Sequence, residues 1–379
     1  MEDNFGGEFM LEIALKFIEE INEHGYQGYI IGGFVRDHIL GISSNDIDVS
    51  TNATPKEIRE IFQDSCLPKE DYGSVTVMKK GVRFEVTTFR KEIGYVDNRR
   101  PAKIEYIDDL YKDLLRRDFT VNTICMNSSG EIVDFLGGQD DINDKMIRSV
   151  GNAKEKFTED SLRILRAVRF ATVLNFQLDD EIIAAIRECK HLLKNLSYYR
   201  KKEELDKIFA SSKAKEGIQL ILDLKLDKDL EIENLSKVNV ANTNSIIGIW
   251  SILNVSDKYI FNNTEKELIK DINDALELNN LDPMALYKYG LYVNSVAGEI
   301  KGLDIKDITE SYNNLIIQKR KDINITSEDI MKILNVGPGS YLKEIYDNIE
   351  REILYRRLDN NYDSIAKYLV ENFRDIKGW

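Results

Sequence analysis

The stretch Gly28-Tyr29-Ile30-Ile31-Gly32-Gly33-Phe34-Val35-Arg36-Asp37, running on to Asp46-Ile47-Asp48-Val49, decides how the first part of the chain folds. Tyr29–Ile31 is a short apolar run that ends on two glycines. Phe34–Leu40 then carries helical spacing up to Gly41, and Asp46–Val49 reads as a second strand. On a strand, Asp46 and Asp48 project from one face about 6.5 Å apart while Ile47 turns to the other. Two carboxylates so placed can hold divalent ions, and hard oxygen ligands suit Mg²⁺, which also takes phosphate oxygens from a substrate. Taken alone, such a pair is more often a solvated edge. The Gly32-Gly33 turn lets a phosphate approach the backbone, the helix start offers N–H groups, and Arg36 can pair with an anion bidentately. Taken alone, it is a tight turn that needs positive φ. Together, the two motifs set a triphosphate beside metal ions. That arrangement suits nucleotidyl transfer, in which two metals clamp the attacking and leaving oxygens.

Working outward, residues 9–24 and 54–62 carry helical spacing, the latter with Pro55 in the first turn. Residues 74–78 and 82–88 alternate at period two around Lys79-Lys80-Gly81, which predicts a hairpin. Up to about residue 150 the chain is mixed α and β. From Thr158, read as the cap of a helix, helical periodicity dominates to the end. The expected fold is an α+β head with a small mixed or antiparallel sheet, followed by an all-α remainder.

Three further groups carry chemistry. Arg83, Glu85 and Thr87 share the face of their strand opposite Val82, Phe84 and Val86. Glu85 is thus a third metal ligand, a general base for a 3′-hydroxyl, or one half of a cross-strand ion pair. Arg116-Arg117-Asp118-Phe119-Thr120-Val121-Asn122 runs from adjacent arginines into apolar sequence, and a desolvated guanidinium there needs a phosphate or Asp118 as partner. Asp160 and Arg163 are either a plain surface pair or an acceptor and a donor aimed at a base. Cytosine and adenine match that order, whereas guanine and uracil leave polar groups unpaired. Arg166 and Arg169 follow on the same helix, within reach of phosphates.

Composition sets the limits. At 379 residues and 42% hydrophobic, the chain is long enough for two to four domains. A net charge of −14 argues against a nonspecific nucleic-acid binder. Basic residues nevertheless cluster at Arg99-Arg100-Lys103, Arg116-Arg117, Arg163-Arg166-Arg169 and Arg200-Lys201-Lys202. Cys66, Cys125 and Cys189 are scattered, as are His24, His38 and His191. The spacing disfavours a disulfide scaffold, a cysteine zinc site and an HExxH metal hydrolase. No apolar run approaches a membrane span, and the start lacks an apolar signal region, so a cytoplasmic protein without membrane association is expected.

In this order and spacing GGFVRD, DID, EVTTFR, RRDFTVN and GNAKEKFTEDSLRILRAVRFA resemble the class II tRNA nucleotidyltransferases and bacterial poly(A) polymerases. Within that family the chain is most similar to CCA-adding enzymes of the Bacillus type. The resemblance implies a seahorse-like chain with a nucleotidyltransferase head (1–150), a helical neck (151–210), a body (211–300) and a tail (301–379). It implies catalytic Asp46, Asp48 and Glu85, with two Mg²⁺ ions on Asp46 and Asp48. Nucleotide binding would fall to Gly32, Gly33, Arg36, Arg117, Asp118, Asn122, Asp160, Arg163, Arg166 and Arg169. CTP and ATP are the implied substrates and tRNA the implied partner, with no protein partner implied. Residues 89–101 resemble the flexible loop of CCA-adding and A-adding enzymes, which counts against a CC-only role. A-adding, CC-adding and poly(A)-adding activities are the alternatives on the same motifs. The chain departs from the family at Tyr199-Arg200, where a Glu-Arg pair is usual, and at Asn45, where a basic or small residue is common.

Overall fold

The computed structural model describes residues 3–374 apart from 45, 72, 97–99 and 242, and gives the backbone alone for 3–7, 64, 68–71, 95–96 and 100–101. Asn45 and Arg99 therefore lie outside the described residues. The chain divides at Ile232–Glu233 into two compact units.

The first unit opens with α1 (Asp3–Glu23), β1 (Gly28–Ile31), α2 (Gly33–Ile39), β2 (Ile47–Thr51) and α3 (Pro55–Phe62). Thr54 and Glu57 close a reciprocal capping box at the start of α3, with Pro55 at its first position. Then follow β3 (Cys66–Asp71), β4 (Ser74–Lys79), β5 (Val82–Thr88), β6 (Arg90–Val96), β7 (Arg100–Tyr106), α4 (Leu110–Leu114), β8 (Cys125–Met126) and β9 (Ile132–Val133). Seven of these strands form one sheet in the order β3-β4-β5-β2-β1-β8-β9, while β6 and β7 pair as a separate hairpin. Only β2 and β5 run parallel; every other pair in the large sheet is antiparallel. Lys80 and Gly81 turn the β4–β5 hairpin with φ of 49° and 78°, the twist that two-residue hairpins favour.

One face of the sheet is sealed by α1. Phe17 is fully buried and its ring stacks at 4.0 Å on Phe84 of β5 and at 4.5 Å on Phe62 of α3. Each such side chain stabilises the fold by about 1.5–3 kcal/mol through burial. Ile47 and Val49 of β2 and Val86 of β5 are buried as well, in alternation with Asp48 and Glu85. On the other face, α4 packs Leu110 and Leu114 against Ile31, Phe89 and Cys125. The remainder of that face, at β2 and β5, stays uncovered and carries the polar side chains.

After α5 (Gly138–Asp144), β10 (Met146–Ile147) leads into α6 (Ala153–Glu159) and α7 (Leu162–Leu174). The helix does not start at Thr158, as its sequence suggested. Asn152 caps α6, Asp160 is extended at φ −141°, and α7 begins afresh. The Asp160 carboxylate accepts the Leu162 amide at 3.0 Å, a local bond that competes with continued helix at that point. Then come β11 (Gln177–Leu178), which pairs with β10, and helices α8 (Asp180–Cys189), α9 (Tyr198–Phe209) and α10 (Ala214–Asp223).

The second unit is helical. Asn263–Leu276 and Pro283–Lys301 share a core of Ile272, Ala275, Val293, Val296 and Ala297. Ser327–Leu334, Tyr341–Leu354 and Tyr362–Phe373 enclose a second core around Ile330, Ile345, Ile349, Ile353 and Leu369. Among the described residues, no helix is long and apolar enough to cross a membrane.

Candidate active site

The exposed face of β2 and β5 forms the floor of a cleft of about 580 Å³, built within the first unit. The ladder register sets Asp48 directly beside Glu85, with Ile47 beside Phe84 on the rung before. Phe84 and Ile47 are held in the core, so alternation alone turns Asp48 and Glu85 into the cleft. Asp46, just ahead of β2, lines the same floor. Solvent loss at the cleft floor, with Glu85 and Asp46 nearby, pushes the Asp48 carboxyl up to about 6 despite the attraction of Arg117. Glu85 also meets Arg83 of its own strand at 2.9 Å, and both side chains are more than half exposed.

The wall beside β1 is made by the turn into α2. Gly32 takes φ 75° and ψ −128°, a conformation open to glycine and costly for other residues. Arg36 is buried, donates from Nη1 to Asn122 Oδ1 at 2.6 Å, and forks onto Asp37 Oδ1 through Nε and Nη2. Arg117 reaches from the end of α4 to Ser50 Oγ on β2 at 3.0 Å, and lies 3.7 Å from the fully buried Asp113. Its Nε is buried without a hydrogen-bond partner.

Helix α7 supplies the third side. Arg166 Nε donates to Asp118 Oδ2 at 2.6 Å, and Arg169 Nε donates to Glu204 Oε2 of α9 at 2.6 Å. Between them lies the ring of Phe170, with the guanidinium carbons of Arg169, Arg166 and Arg36 at 4.1, 5.3 and 5.4 Å from its centre. Three guanidiniums around one aromatic face are held by attraction to the ring quadrupole as well as by their carboxylate and amide partners. Burial alone would raise the Asp118 carboxyl. The ion pair and hydrogen bond with Arg166, the nearby Arg163 and the Phe119 amide outweigh it and hold the carboxyl down at about 2.

Of the residues predicted from sequence, Gly32, Gly33, Arg36, Asp46, Asp48, Glu85, Arg117, Asp118, Asn122, Arg166 and Arg169 all line this one cleft. Asp160 and Arg163 do not line it. Arg163 is buried, and its guanidinium donates to the carbonyls of Lys156 and Arg116 and to the Glu159 carboxylate. Burial raises the Asp160 carboxyl against the pull of Arg163. Sequence reading passed over Ser50, Arg83, Phe170, Glu204 and Lys207. Arg83 had a signal in its place on the strand face of Glu85, and Phe170 had one because it follows Arg169 and stands four residues from Arg166, on one helix face.

All the acidic donors are carboxylate oxygens, which suit Mg²⁺. Among the described residues, no group of three or more histidine, cysteine or acidic side chains is gathered to hold a metal by itself. One or two carboxylates completed by substrate phosphate oxygens is the arrangement Mg²⁺ commonly adopts. The donor set therefore fits the ion together with a nucleotide.

A carboxylate floor between a glycine turn and an arginine wall is the arrangement that nucleotidyl transfer requires. Residues 28–148 match the family model described as the Poly A polymerase head domain. Residues 175–230 match a "Probable RNA and SrmB-binding site of polymerase A", and residues 253–369 match a tRNA nucleotidyltransferase domain 2. The CCA-adding enzyme of Ligilactobacillus salivarius is 32% identical, over 96% of this chain and 96% of its own length. That of Bacillus subtilis is 32% identical, over 94% of this chain and 97% of its own. The crystal structure of the Bacillus stearothermophilus CCA-adding enzyme in complex with CTP superposes with a TM-score of 0.85 at 27% identity, covering 95% of this chain and 97% of that one. The chain belongs to the tRNA nucleotidyltransferase and poly(A) polymerase family. It is an enzyme, and the full-length relatives just named are CCA-adding enzymes.

Proposed function

We propose that the protein adds the CCA terminus to the 3′ ends of tRNA without a template, using CTP and ATP and releasing pyrophosphate. The observation that carries this reading is the adjacency of Asp48 and Glu85, beside Asp46, to a wall of four guanidiniums in one cleft. The end-to-end likeness to CCA-adding enzymes supports the choice of product. In this reading, residues 1–150 catalyse, 151–210 select the base and bind RNA, 211–300 form the helical body, and 301–379 hold the tRNA. The setting is the cytoplasm.

Asp46 and Asp48 would hold two Mg²⁺ ions, which when bound would acidify the RNA 3′-hydroxyl and neutralise charge on the leaving pyrophosphate. The 3′-oxygen attacks the α-phosphorus, a new phosphodiester forms, and the bond from the α-phosphorus to the bridging oxygen breaks. Glu85, beside Asp48, receives the hydroxyl proton or would serve as a third carboxylate ligand to the metal. Gly32, Gly33, Arg36 and Arg117 cradle the triphosphate, and Arg117 brings a buried Nε that lacks an acceptor in the free protein. Asp118 and Asn122 hold Arg166 and Arg36 in place for it. Arg169 adds a further cation. Asp160 and Arg163, which stand outside the cleft in the free protein, read the base edge of cytosine twice and then adenine once Arg163 exchanges its Lys156, Arg116 and Glu159 partners for the base.

The test is incorporation resolved to single nucleotides on tRNA transcripts ending at the discriminator base, at C and at CC. Each receives CTP, ATP or both, with Mg²⁺. Growth by three residues from the bare end and then a stop is the expected result. Extension of the CC-ended transcript alone, a halt after two cytosines, or long A tails would each replace the reading by a sister activity. Asp46→Ala should abolish incorporation while tRNA binding persists.

A further inference from the structure

The sheet order gives the cleft a direction. Moving across its floor, the strands run β1, β2, β5, β4. The triphosphate side is β1, where Gly32, Gly33 and Arg36 stand with the arginine wall. The carboxylates follow on β2 and β5. In-line displacement requires the attacking oxygen and the departing pyrophosphate to lie on opposite sides of the α-phosphorus. The RNA 3′ end must then arrive from the β5 and β4 side.

That side has its own cation. Arg83 of β5 points the same way as Glu85 and lines the cleft. The register that pairs Ile47 with Phe84, carried one residue back, sets Arg83 opposite Asp46. On β4, the ladder partner of Arg83 is Met78, a residue that is 39% exposed and shares this face. A guanidinium beside an exposed, polarisable apolar side chain offers one nucleotide two contacts, charge for its phosphate and soft surface for its sugar or base. In the free protein Arg83 is parked on Glu85 at 2.9 Å, with side-chain exposures of 59% and 53%. An exposed pair of this kind contributes little, so Arg83 leaves it at small cost when a phosphate arrives.

We infer that Arg83, with Met78 beside it, binds the last phosphodiester of the RNA acceptor and so sets the 3′-hydroxyl on the β5 side of the carboxylates. This rests on the proposed function, because the direction of approach follows from nucleotidyl transfer in this cleft. Arg83 is a substrate-binding and positioning residue, distinct in its partner from the triphosphate arginines.

The experiment is a cycle between Arg83→Ala and a transcript ending in C whose last phosphodiester is replaced by a neutral methylphosphonate. RNA affinity is measured without nucleotide, and KM values are measured for RNA and CTP. For the unmodified transcript, Arg83→Ala should weaken RNA binding about tenfold and flatten the salt dependence of log K by about 0.7, one phosphate contact on a single strand. The KM for CTP should stay within twofold. The neutral linkage should weaken the wild type by a similar factor and Arg83→Ala hardly at all. Arg83→Lys should restore most of the binding. Equal losses from the neutral linkage in both proteins would overturn the inference, as would a raised KM for CTP with unchanged RNA affinity. If the wild type extends no RNA at all, the proposed function falls first and the inference with it. Extension by the wild type with additive effects in the cycle overturns the inference alone.

Discussion

Asp118→Asn is the perturbation whose size the structure fixes most directly. Asp118 accepts Arg166 Nε at 2.6 Å, the Phe119 amide at 2.9 Å and the Asn122 amide at 3.3 Å, and its side chain is 9% exposed. Holding the carboxyl at about 2 rather than the ordinary 3.8 corresponds to roughly 2 kcal/mol of native-state stabilisation. Breaking a buried ion pair costs about 3–5 kcal/mol, and the Arg166 side chain, 33% exposed, keeps part of its hydration and so moves this toward the lower end. A loss of about 2–3 kcal/mol at pH 7 is therefore expected. The pH dependence has a definite sign. The folded state binds this proton more weakly than the unfolded state, so the contribution is complete above about pH 5, near half gone at pH 3 and lost as pH falls through about 2. The stability gap between wild type and Asp118→Asn should thus narrow by ~1 kcal/mol between pH 7 and pH 3. Urea unfolding followed by far-ultraviolet circular dichroism measures it. Trp250 is buried in the second unit, so a change in its fluorescence gives that unit's transition as an internal control. A gap below ~1 kcal/mol at pH 7, or one that stays constant to pH 3, would refute the ion-pair reasoning.

Three other outcomes follow from particular contacts. A Cβ on Gly138 would sit 2.5 Å from the Thr120 carbonyl and 2.7 Å from Ile124, so Gly138→Ala should destabilise by about 2–4 kcal/mol and raise the KM for CTP by displacing Thr120–Asn122. Thermal unfolding and CTP titration check the two parts. Phe170→Leu removes the ring shared by Arg36, Arg166 and Arg169 and should weaken nucleotide binding about tenfold, read as CTP affinity by calorimetry. Asp160→Ala should relax discrimination against UTP and GTP by about 10- to 100-fold, and unchanged rejection of both in single-nucleotide incorporation would remove Asp160 from base reading.

What the sequence made legible was local. Alternation on β2 and β5 required nothing beyond residue order, and Asp48 and Glu85 emerged as face-mates of their strands. The sequence offered Glu85 as a partner for Asp46 and Asp48 but not the register that sets it beside Asp48, because that depends on β2 pairing in parallel with β5, past β3 and β4, on its side away from β1. Strand β3 was hidden by Pro68, which marks edge strands, and β3 is indeed the edge of the sheet. The β6–β7 hairpin falls on the segment that resemblance alone makes a flexible loop, and its polar, charge-rich sequence has little apolar alternation to mark strands. In the site, Ser50 and Glu204 carry no signal of their own. They matter because tertiary packing brings them to Arg117 and Arg169. Arg163 shows the opposite gap, for the sequence named the residue but could not show its guanidinium turned onto two backbone carbonyls.

The stack of Phe62, Phe17 and Phe84 on the far side of the sheet constrains how this chain can change in length. Ile47 and Val49 are committed to that side, so Asp48 faces the cleft by parity alone. Adding or removing one residue within 47–51 would swap the two sets, sending Asp48 toward the phenylalanines and a valine or isoleucine toward the cleft. Length drift in descendants of this sequence is therefore confined to the turn after Gly41, where Ile42 and Ser43 are exposed and no ladder rung counts residues. A turn that looks like slack is the one place where this stretch can absorb an insertion without inverting the site.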